Sequence, residues 1–377
     1  MTNTRTLSEA PVVAEKEAQV YIAPQWKLVW WKFRKHKLAL ISAVIVILIY
    51  LVALLVEVLA PFPSDRTDSK FLYAPPQTLH LFDEQGQFAP YVNGYTSKVE
   101  PVALRRVFIV DPSTKIPLGF FVKGYSYKLL GLIPMDRHLI GPLDKDQPVY
   151  LLGADRLGRD LLSRLIAGTR VSMSIGLIGV LLSLVLGILL GGLSGYYGGW
   201  VDNLIQRTID FLRSIPSIPL WMGLAAALPL NWPPDRVYFA ITVILSLIGW
   251  TSLARVVRGR FLSLREEDFI MAARLDGQSE LGIILFQMLP AFTSHIIAAI
   301  TLAIPGMILS ETALSFLGLG LRDPVVSWGV LLQESQDIRA IATAPWLLIP
   351  ALAVVLSVLT LNFLGDGLRD AADPYAR

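Results

Sequence analysis

Val171-Ser-Met-Ser-Ile-Gly-Leu-Ile-Gly-Val-Leu-Leu-Ser-Leu-Val-Leu-Gly-Ile-Leu-Leu-Gly-Gly-Leu-Ser-Gly195 contains no Asp, Glu, Lys or Arg. An apolar run of about 20 residues is long enough to cross the hydrocarbon of a bilayer as a helix. Lipid offers the backbone no hydrogen-bond partners, so a crossing must be a helix or part of a closed barrel. A barrel strand would alternate apolar and polar residues over a shorter length, and this run does not. Five further runs read the same way: Leu38–Ala60, Ser214–Trp232 (broken by Pro216, Pro219 and Pro229), Val237–Ala254, Ala291–Ser310 and Ala342–Gly365. The expected fold is therefore an all-α polytopic membrane protein with six transmembrane helices. Composition agrees, since 54% of the 377 residues are hydrophobic and 17% charged, with a mean hydropathy of +0.55.

Charge placement gives the topology. Lys27, Lys32, Arg34, Lys35 and Lys37 crowd the start of the first run, which places the N-terminus in the cytoplasm. Six crossings return the C-terminus there. Arg207 and Arg213 before the third run, and Arg255, Arg258, Arg260, Arg265 and Arg274 after the fourth, then fall inside by parity. The first run exceeds the h-region of a signal peptide, and Pro61-Phe-Pro63 follows without a small-residue cleavage site, so it reads as an uncleaved anchor. The resulting organisation is a cytoplasmic tail over 1–37 (polar and mobile over 1–25), a first crossing over 38–60, and an extracytoplasmic segment over 61–170. A membrane core over 171–365 follows, with a cytoplasmic loop over 255–290, and then a cytoplasmic tail over 366–377. Within 61–170, Arg106–Val110 and Gly119–Gly124 suggest short strands, with turns at Asp111-Pro112 and Lys123-Gly124, so this insertion has mixed or β character. Glu311–Ile341 is the second outer segment.

Several function classes are excluded or disfavoured. Without cysteine there is no disulfide, thiolate nucleophile or Cys-ligated metal, and His36, His80, His138 and His295 are too scattered for a metal site. The 33 basic and 30 acidic residues are too balanced for a nucleic-acid partner. No G-x-x-x-x-G-K-[ST] loop is present to hold nucleotide phosphates. A membrane-embedded enzyme would have to use Asp155, Asp160 and His138, but the aspartates stand beside arginines that would pair with them. A passive channel would call for rings of pore-lining residues. Among intramembrane polar residues, His295 could line a pathway or bridge helices, whereas Glu311, Asn362 and Asp366 fall at hydrated boundaries with structural roles. Gly187, Gly191 and Gly195 have the spacing of close helix packing.

The loop from Ser263 to Pro290 is the most informative segment. Ser263-Leu-Arg-Glu266 has capping-box spacing and predicts a helix start; Gly277 predicts its stop; Ser279-Glu280 predicts a second short helix running into Leu289-Pro290. Phe269, Ala272, Ala273 and Asp276 recur on one side of the first helix. That side suits either a partner's groove or the membrane surface. The pattern Ala272-Ala273, three residues, Gly277, then Leu289-Pro290 resembles the EAA loop of the permease subunits of binding-protein-dependent ABC importers. Met271 departs from it where the family has glutamate, and Gln287 where it has isoleucine or histidine.

Leu152-Gly-Ala-Asp-Arg-Leu-Gly-Arg-Asp-Leu-Leu-Ser-Arg-Leu-Ile-Ala-Gly-Thr-Arg170 is similar to the signature of the C-type permease of the oligopeptide, dipeptide and nickel branch, through Gly153, Asp155, Gly158, Arg159, Asp160, Ser163 and Arg164. By its residues alone, this stretch reads as a helix on the outer interface with snorkelling arginines. Glu311–Leu321 with Ser327-Trp-Gly329, and Asp210–Pro216, also resemble that family, so the likeness runs from the first crossing to the C-terminus except for residues 64 to about 148. It implies a MetI-like ABC importer permease fold and no catalytic residue or bound cofactor, ATP being used by partner subunits. Phe269, Ala272, Ala273, Gly277, Leu289 and Pro290 would couple the chain to those ATPases. The implied partners are a second homologous permease, two cytoplasmic P-loop ATPases, an extracytoplasmic solute-binding protein and membrane lipid, in the inner membrane. Peptides are the implied cargo, with nickel or oligosaccharides as alternatives.

Overall fold

The computed structural model describes residues 25–101, 106–229 and 231–372, without the side chains of residues 25, 26, 294 and 295. Nearly all of the polar N-terminal tail, the His295 side chain and residues 373–377 thus lie outside the described residues.

Among the described residues, five helices are long and apolar enough to cross a membrane. They are α2 (Lys37–Leu54), α3 (Leu161–Tyr197), α6 (Pro234–Leu264), α9 (Thr293–Phe316) and α12 (Ile349–Ala372), with α1 (Gln25–Phe33) preceding them. The starts of α2, α3 and α6 have local causes: His36 Nδ1 accepts from Ala39 N–H at 3.2 Å, Asp160 caps α3, and Pro234 occupies the first turn of α6, where a missing N–H costs nothing. Helix α12 carries on through Asp366, so the expected tail over 366–377 begins as helix.

The run Ser214–Trp232 does not yield a sixth helix of that length. It gives α5 (Ser217–Ala226), ten residues, a rise of about 15 Å against a hydrocarbon thickness of about 30 Å. Pro216 separates α5 from the amphipathic α4 (Gly199–Ser214). Together the two pieces follow α6 along its length. Asp202 pairs with Arg258 at 2.5 Å, Asp210 with Arg255, and Ile209 packs on Trp250 and Ala254. Ala225 of α5 then joins the core cluster that holds Ile241, and Pro229 and Trp232 reach the segment Leu319–Val325.

The main core is drawn from α2, α3, α6, α9 and α12, with Trp328, the first residue of α10 (Trp328–Gln333), fully buried among them. Helices α3 and α6 form the tightest seam. A Cβ on Gly191 would lie 2.5 Å from the Ala254 carbonyl oxygen, and one on Gly195 2.8 Å from that of Arg258. The expected small-residue spacing is thus realised as backbone approach.

Residues 79–142 form a four-stranded antiparallel sheet in the order β1 (Leu79–Phe82), β2 (Phe88–Val99), β3 (Arg106–Leu129), β4 (Ile133–Pro142). The expected strands at 106–110 and 119–124 are parts of the single long β3, which pairs with β2 through its first half and with β4 through its second. Asp111-Pro112 and Lys123-Gly124 are irregularities in that strand rather than hairpin turns. At the first of these, the Asp111 carboxylate accepts from Ser113 and Thr114, so the local polar bonds that suggest a turn hold a bulge. Val92, Ile116 and Leu118 pack the sheet onto Phe62 and Val149.

Candidate functional site

The end of the bundle near residues 263–290 is built from α7 (Asp268–Leu275) and α8 (Glu280–Ile283). The expected capping box does not form. Helix α6 runs on to Leu264, so Ser263 lies in its last turn, and α7 begins behind Glu267 with no side-chain cap. The stop is as expected: Gly277 has φ +73°, its N–H donates to the Arg274 carbonyl at 3.1 Å, and Gln278 N–H donates to that of Ala273 at 3.1 Å. This is the paired bonding of a Schellman motif, which needs a left-handed residue where glycine carries no Cβ penalty. Ser279 opens α8 by accepting from Gly282 N–H at 3.2 Å. A π-turn over Ile284–Met288 then leads into Leu289-Pro290.

The expected one-sided grouping on α7 divides. Ile270 and Ala273 are buried against Tyr196, Phe261 and Met288, so Ala273 faces the chain's own core. Phe269, Ala272 and Asp276 are exposed, and Pro290 with them, while Leu289 is half-buried. The centre of the outward face is Leu275, 89% exposed, which sequence reasoning did not single out. Its signal was the helical offset of three from Ala272, and Leu281 and Phe286 extend the exposed apolar area. Two tyrosines at the end of α3 hold the pair of helices: Arg274 lies over the Tyr196 ring at 5.1 Å, and Tyr197 donates to Glu280 at 2.5 Å.

At the opposite end, the signature residues converge. They do not form an interfacial helix with snorkelling arginines; Leu161 onward is the first part of the continuous α3, and Arg159 and Arg164 are buried. Asp155 accepts from Arg159 Nε at 2.6 Å and from the backbone N–H groups of Leu157 and Arg159 at 2.9 Å. Arg159 reaches Asp323 with two nitrogens at 3.2 and 3.3 Å, and Arg164 reaches it at 3.0 Å. Burial opposes ionisation of Asp323, but the two guanidiniums prevail and hold its carboxyl below the usual range. Asp323 was missed because its partners lie more than 150 positions away in sequence, with no local pattern to mark it.

Asp160 does not pair with an arginine as expected. Its Oδ2 accepts from Ser163 N–H at 2.8 Å and Ser163 Oγ–H at 2.6 Å, and Ser163 Oγ in turn accepts from Phe62 N–H at 3.1 Å. Burial pushes the Asp160 carboxyl up to about 6. The two glycines are sites of close approach with positive φ: a Cβ on Gly158 would lie 2.0 Å from the Asp68 carbonyl oxygen, and one on Gly153 2.6 Å from Trp346. His138 is in β4 with Nε2 3.0 Å from the Tyr125 carbonyl oxygen, and no hydrogen bond or ion pair among the described residues joins it to Asp155 or Asp160. Glu311, expected at a hydrated boundary, is fully buried and accepts from Ser327 at 2.6 Å, Ser315 at 2.8 Å and Ser172 at 3.3 Å. These hydroxyls replace the water it would otherwise need.

Comparison with known proteins gives consistent matches. Residues 183–377 match the family described as binding-protein-dependent transport system inner membrane component, and residues 24–76 match the N-terminal TM domain of oligopeptide transport permease C. The oligopeptide transport system permease protein OppC of Haemophilus influenzae is 39% identical over 229 residues, covering 60% of this chain and 71% of that one. The dipeptide transport system permease protein DppC of Alkalihalophilus pseudofirmus is 40% identical over 226 residues, covering 60% and 72%. The glutathione transport system permease protein GsiD of Pectobacterium atrosepticum is 38% identical over the same length, with the same coverage. A solved inward-facing structure of the MetNI methionine ABC transporter aligns with TM-score 0.42 and 18% identity, over 55% of this chain and 96% of that one.

Proposed function

Because the chain belongs to the family of binding-protein-dependent transport system inner membrane components, we propose that it forms half of the translocation pathway of an ATP-driven peptide importer. It is a transport component of the inner membrane rather than an enzyme. In this reading it pairs with a second, homologous permease, receives peptide from an extracytoplasmic binding protein and is driven by two cytoplasmic ATPases. The observation that carries it is the loop 263–290: a short helix bound to the bundle through Ile270 and Ala273 while Phe269, Ala272 and Leu275 face outward. Exposed apolar side chains on a helix are a surface awaiting a partner's groove.

The six-crossing topology, with both termini cytoplasmic, belongs to the same proposal. Residues 199–234 supply the sixth passage in two pieces, α4 in the interfacial layer and α5 within the hydrocarbon. Backbone outside α5 at membrane depth must then be covered by protein, a need the second permease meets. Nucleotide-driven motion of the ATPases would act on α7 and α8 and tilt the bundle between outward-open and inward-open states.

Affinity purification of the tagged chain from native membranes in mild detergent tests this. A second permease and P-loop ATPases should co-purify; recovery of the chain alone, under conditions that keep a known importer intact, would overturn it. Gly277→Asp should abolish peptide uptake while leaving membrane insertion normal, because a charged residue there strains the helix stop and faces the docking surface.

A further inference from the structure

The hairpin formed by β3 and β4 reaches back towards the bilayer. Phe62, just past the first crossing, donates its N–H to Ser163 Oγ at 3.1 Å, and Glu57 pairs with Arg170 at 2.5 Å. Ser163 and Arg170 are seven residues apart on α3, so the step from Phe62 back to Glu57 descends about 10 Å along that helix. Arg170 is the last charged residue before the run Val171–Gly195, so Glu57 marks the edge of the hydrocarbon. Strand β3 makes the same descent. The Tyr125 ring lies 6.4 Å from that of Phe62, and two residues on, burial and then the Glu57 carboxylate push the Tyr127 hydroxyl up. The short helix Val56–Leu59 packs against both β3 and β4. At about 3.3 Å per residue, the turn at Leu130–Leu132 then lies up to roughly 10–16 Å beyond Tyr127.

The tip is apolar where a hairpin in water is polar. Leu132 is 80% exposed, and Leu130 and Ile133 are exposed beside it. Leu132 N–H donates to the Leu129 carbonyl at 3.0 Å across Leu130 at φ +50° and Gly131 at φ +74°, the geometry of a type I′ turn. Asn, Asp or Gly is the usual residue at the first of these positions. Leucine there accepts left-handed strain and holds an apolar side chain outward at a conformational cost; such strain concentrates at functional sites.

The surroundings suit lipid. Residues 123–137 carry Lys123, Lys128 and Arg137 against Asp136 alone, together with Tyr125 and Tyr127. Basic and tyrosine side chains are the ones that settle at headgroup level. The first half of β3 differs, because Val107 and Phe108 there stand across a cavity from α11 (Ile338–Thr343). Leu132 has no such wall among the described residues.

We propose that the turn between β3 and β4 is a membrane anchor: Leu130, Leu132 and Ile133 enter the acyl region of the leaflet on the sheet's side, with Lys128 at the level of the phosphates. The inference requires the chain to be a membrane component but depends on neither its cargo nor its orientation, and it gives the sheet a lipid partner of its own.

Spin-label accessibility tests it. The chain has no cysteine, so Leu132→Cys carries a single nitroxide within it. The labelled chain is placed in nanodiscs with the subunits that co-purify with it, their own cysteines replaced by serine. Relaxation is then read with oxygen, which concentrates among acyl chains, and with a water-soluble nickel chelate. Oxygen should dominate at Leu132→Cys, with a depth of roughly 5–10 Å below the phosphates. Gln85→Cys, in the turn between β1 and β2, should show the reverse order. Leu130→Asn suits the left-handed turn and Ile133→Thr keeps a β-branched strand residue. The pair should therefore fold while shifting the label at position 132 into water. Nickel dominating at position 132 in the otherwise unchanged chain would place the tip in water, and a label reached by neither reagent would place it against another protein; either result overturns the proposal. Both faces of a nanodisc are alike and no peptide or ATP is used, so failure of the importer reading would leave these outcomes unchanged.

Discussion

At the Asp323 end of the bundle, charged side chains are buried and joined in one network; at the Leu275 end, large apolar side chains stand in solvent. Each arrangement inverts what a soluble protein does with those residue types. The buried Asp155, Arg159 and Arg164 pair with one another and with the partly exposed Asp323, so that network is formed within the chain. Among the described residues nothing covers Phe269, Leu275 and Phe286, which is why that face is proposed as the docking surface. The difference teaches that extended likeness to a family can mark two opposite things: residues that close a structure, and residues that leave it open.

Removing charge at the closed end should have the largest effect. Asp155→Ala removes the carboxylate 2.6 Å from Arg159 Nε and leaves the partly exposed Asp323 alone to offset two buried guanidiniums, and should cost about 3–5 kcal/mol, the range for breaking a buried pair. Denaturant unfolding in detergent reads it, and a loss below about 1 kcal/mol would show that water enters the network and that the end is not closed. Next come the two left-handed glycines, one at each end. Gly158→Ala forces a methyl into the Asp68 carbonyl as well as straining the backbone, and should cost about 2–5 kcal/mol from overpacking and left-handed strain together. Gly277→Ala meets nothing within 4 Å, so only the strain of about 1–2 kcal/mol remains. Equal losses for the two alanines would break the comparison.

The smallest effect is a pH dependence. The folded-state carboxyl of Asp160 titrates near 6, above its unfolded value of about 3.9. The folded state then binds the proton more tightly, and stability rises as pH falls. Between pH 7.5 and 6 the gain should be about 0.4 kcal/mol. Asp160→Asn keeps a capping oxygen for Ser163 and should flatten that slope; a wild-type protein that loses stability over this window would contradict the assignment.

The five long helices were legible in the sequence because apolar length is a local property that lipid demands directly. The third run was not, because Pro216 divides that passage into a charged amphipathic piece and a short apolar one, and no single window contains both. The docking loop was legible at Gly277 and Ser279, whose roles are set by adjacent backbone, and misread at Ser263, where the preceding helix continues through the expected cap. Ala273 was placed outward because periodicity gives a face but does not say which neighbour lies on it. The buried network was half visible: Asp155 and Arg159 are four positions apart in one turn, while Asp323 and the Glu311 hydroxyl cage depend on contacts that only the fold creates.

Helix α3 spans 37 residues without proline, a length of about 55 Å. Its first turns are bonded to Asp323 and its last residues to the α8 helix. Continuous and free of proline, it can tilt as one beam, and Gly176 and Gly179 bring its middle against Ile308 and Met307. A beam resting on such a fulcrum works as a seesaw: a tilt of about 10° would swing its two ends by roughly 5 Å each in opposite directions over this length. Openings governed by the two ends would then alternate, and a leak through both at once would be prevented by stiffness alone.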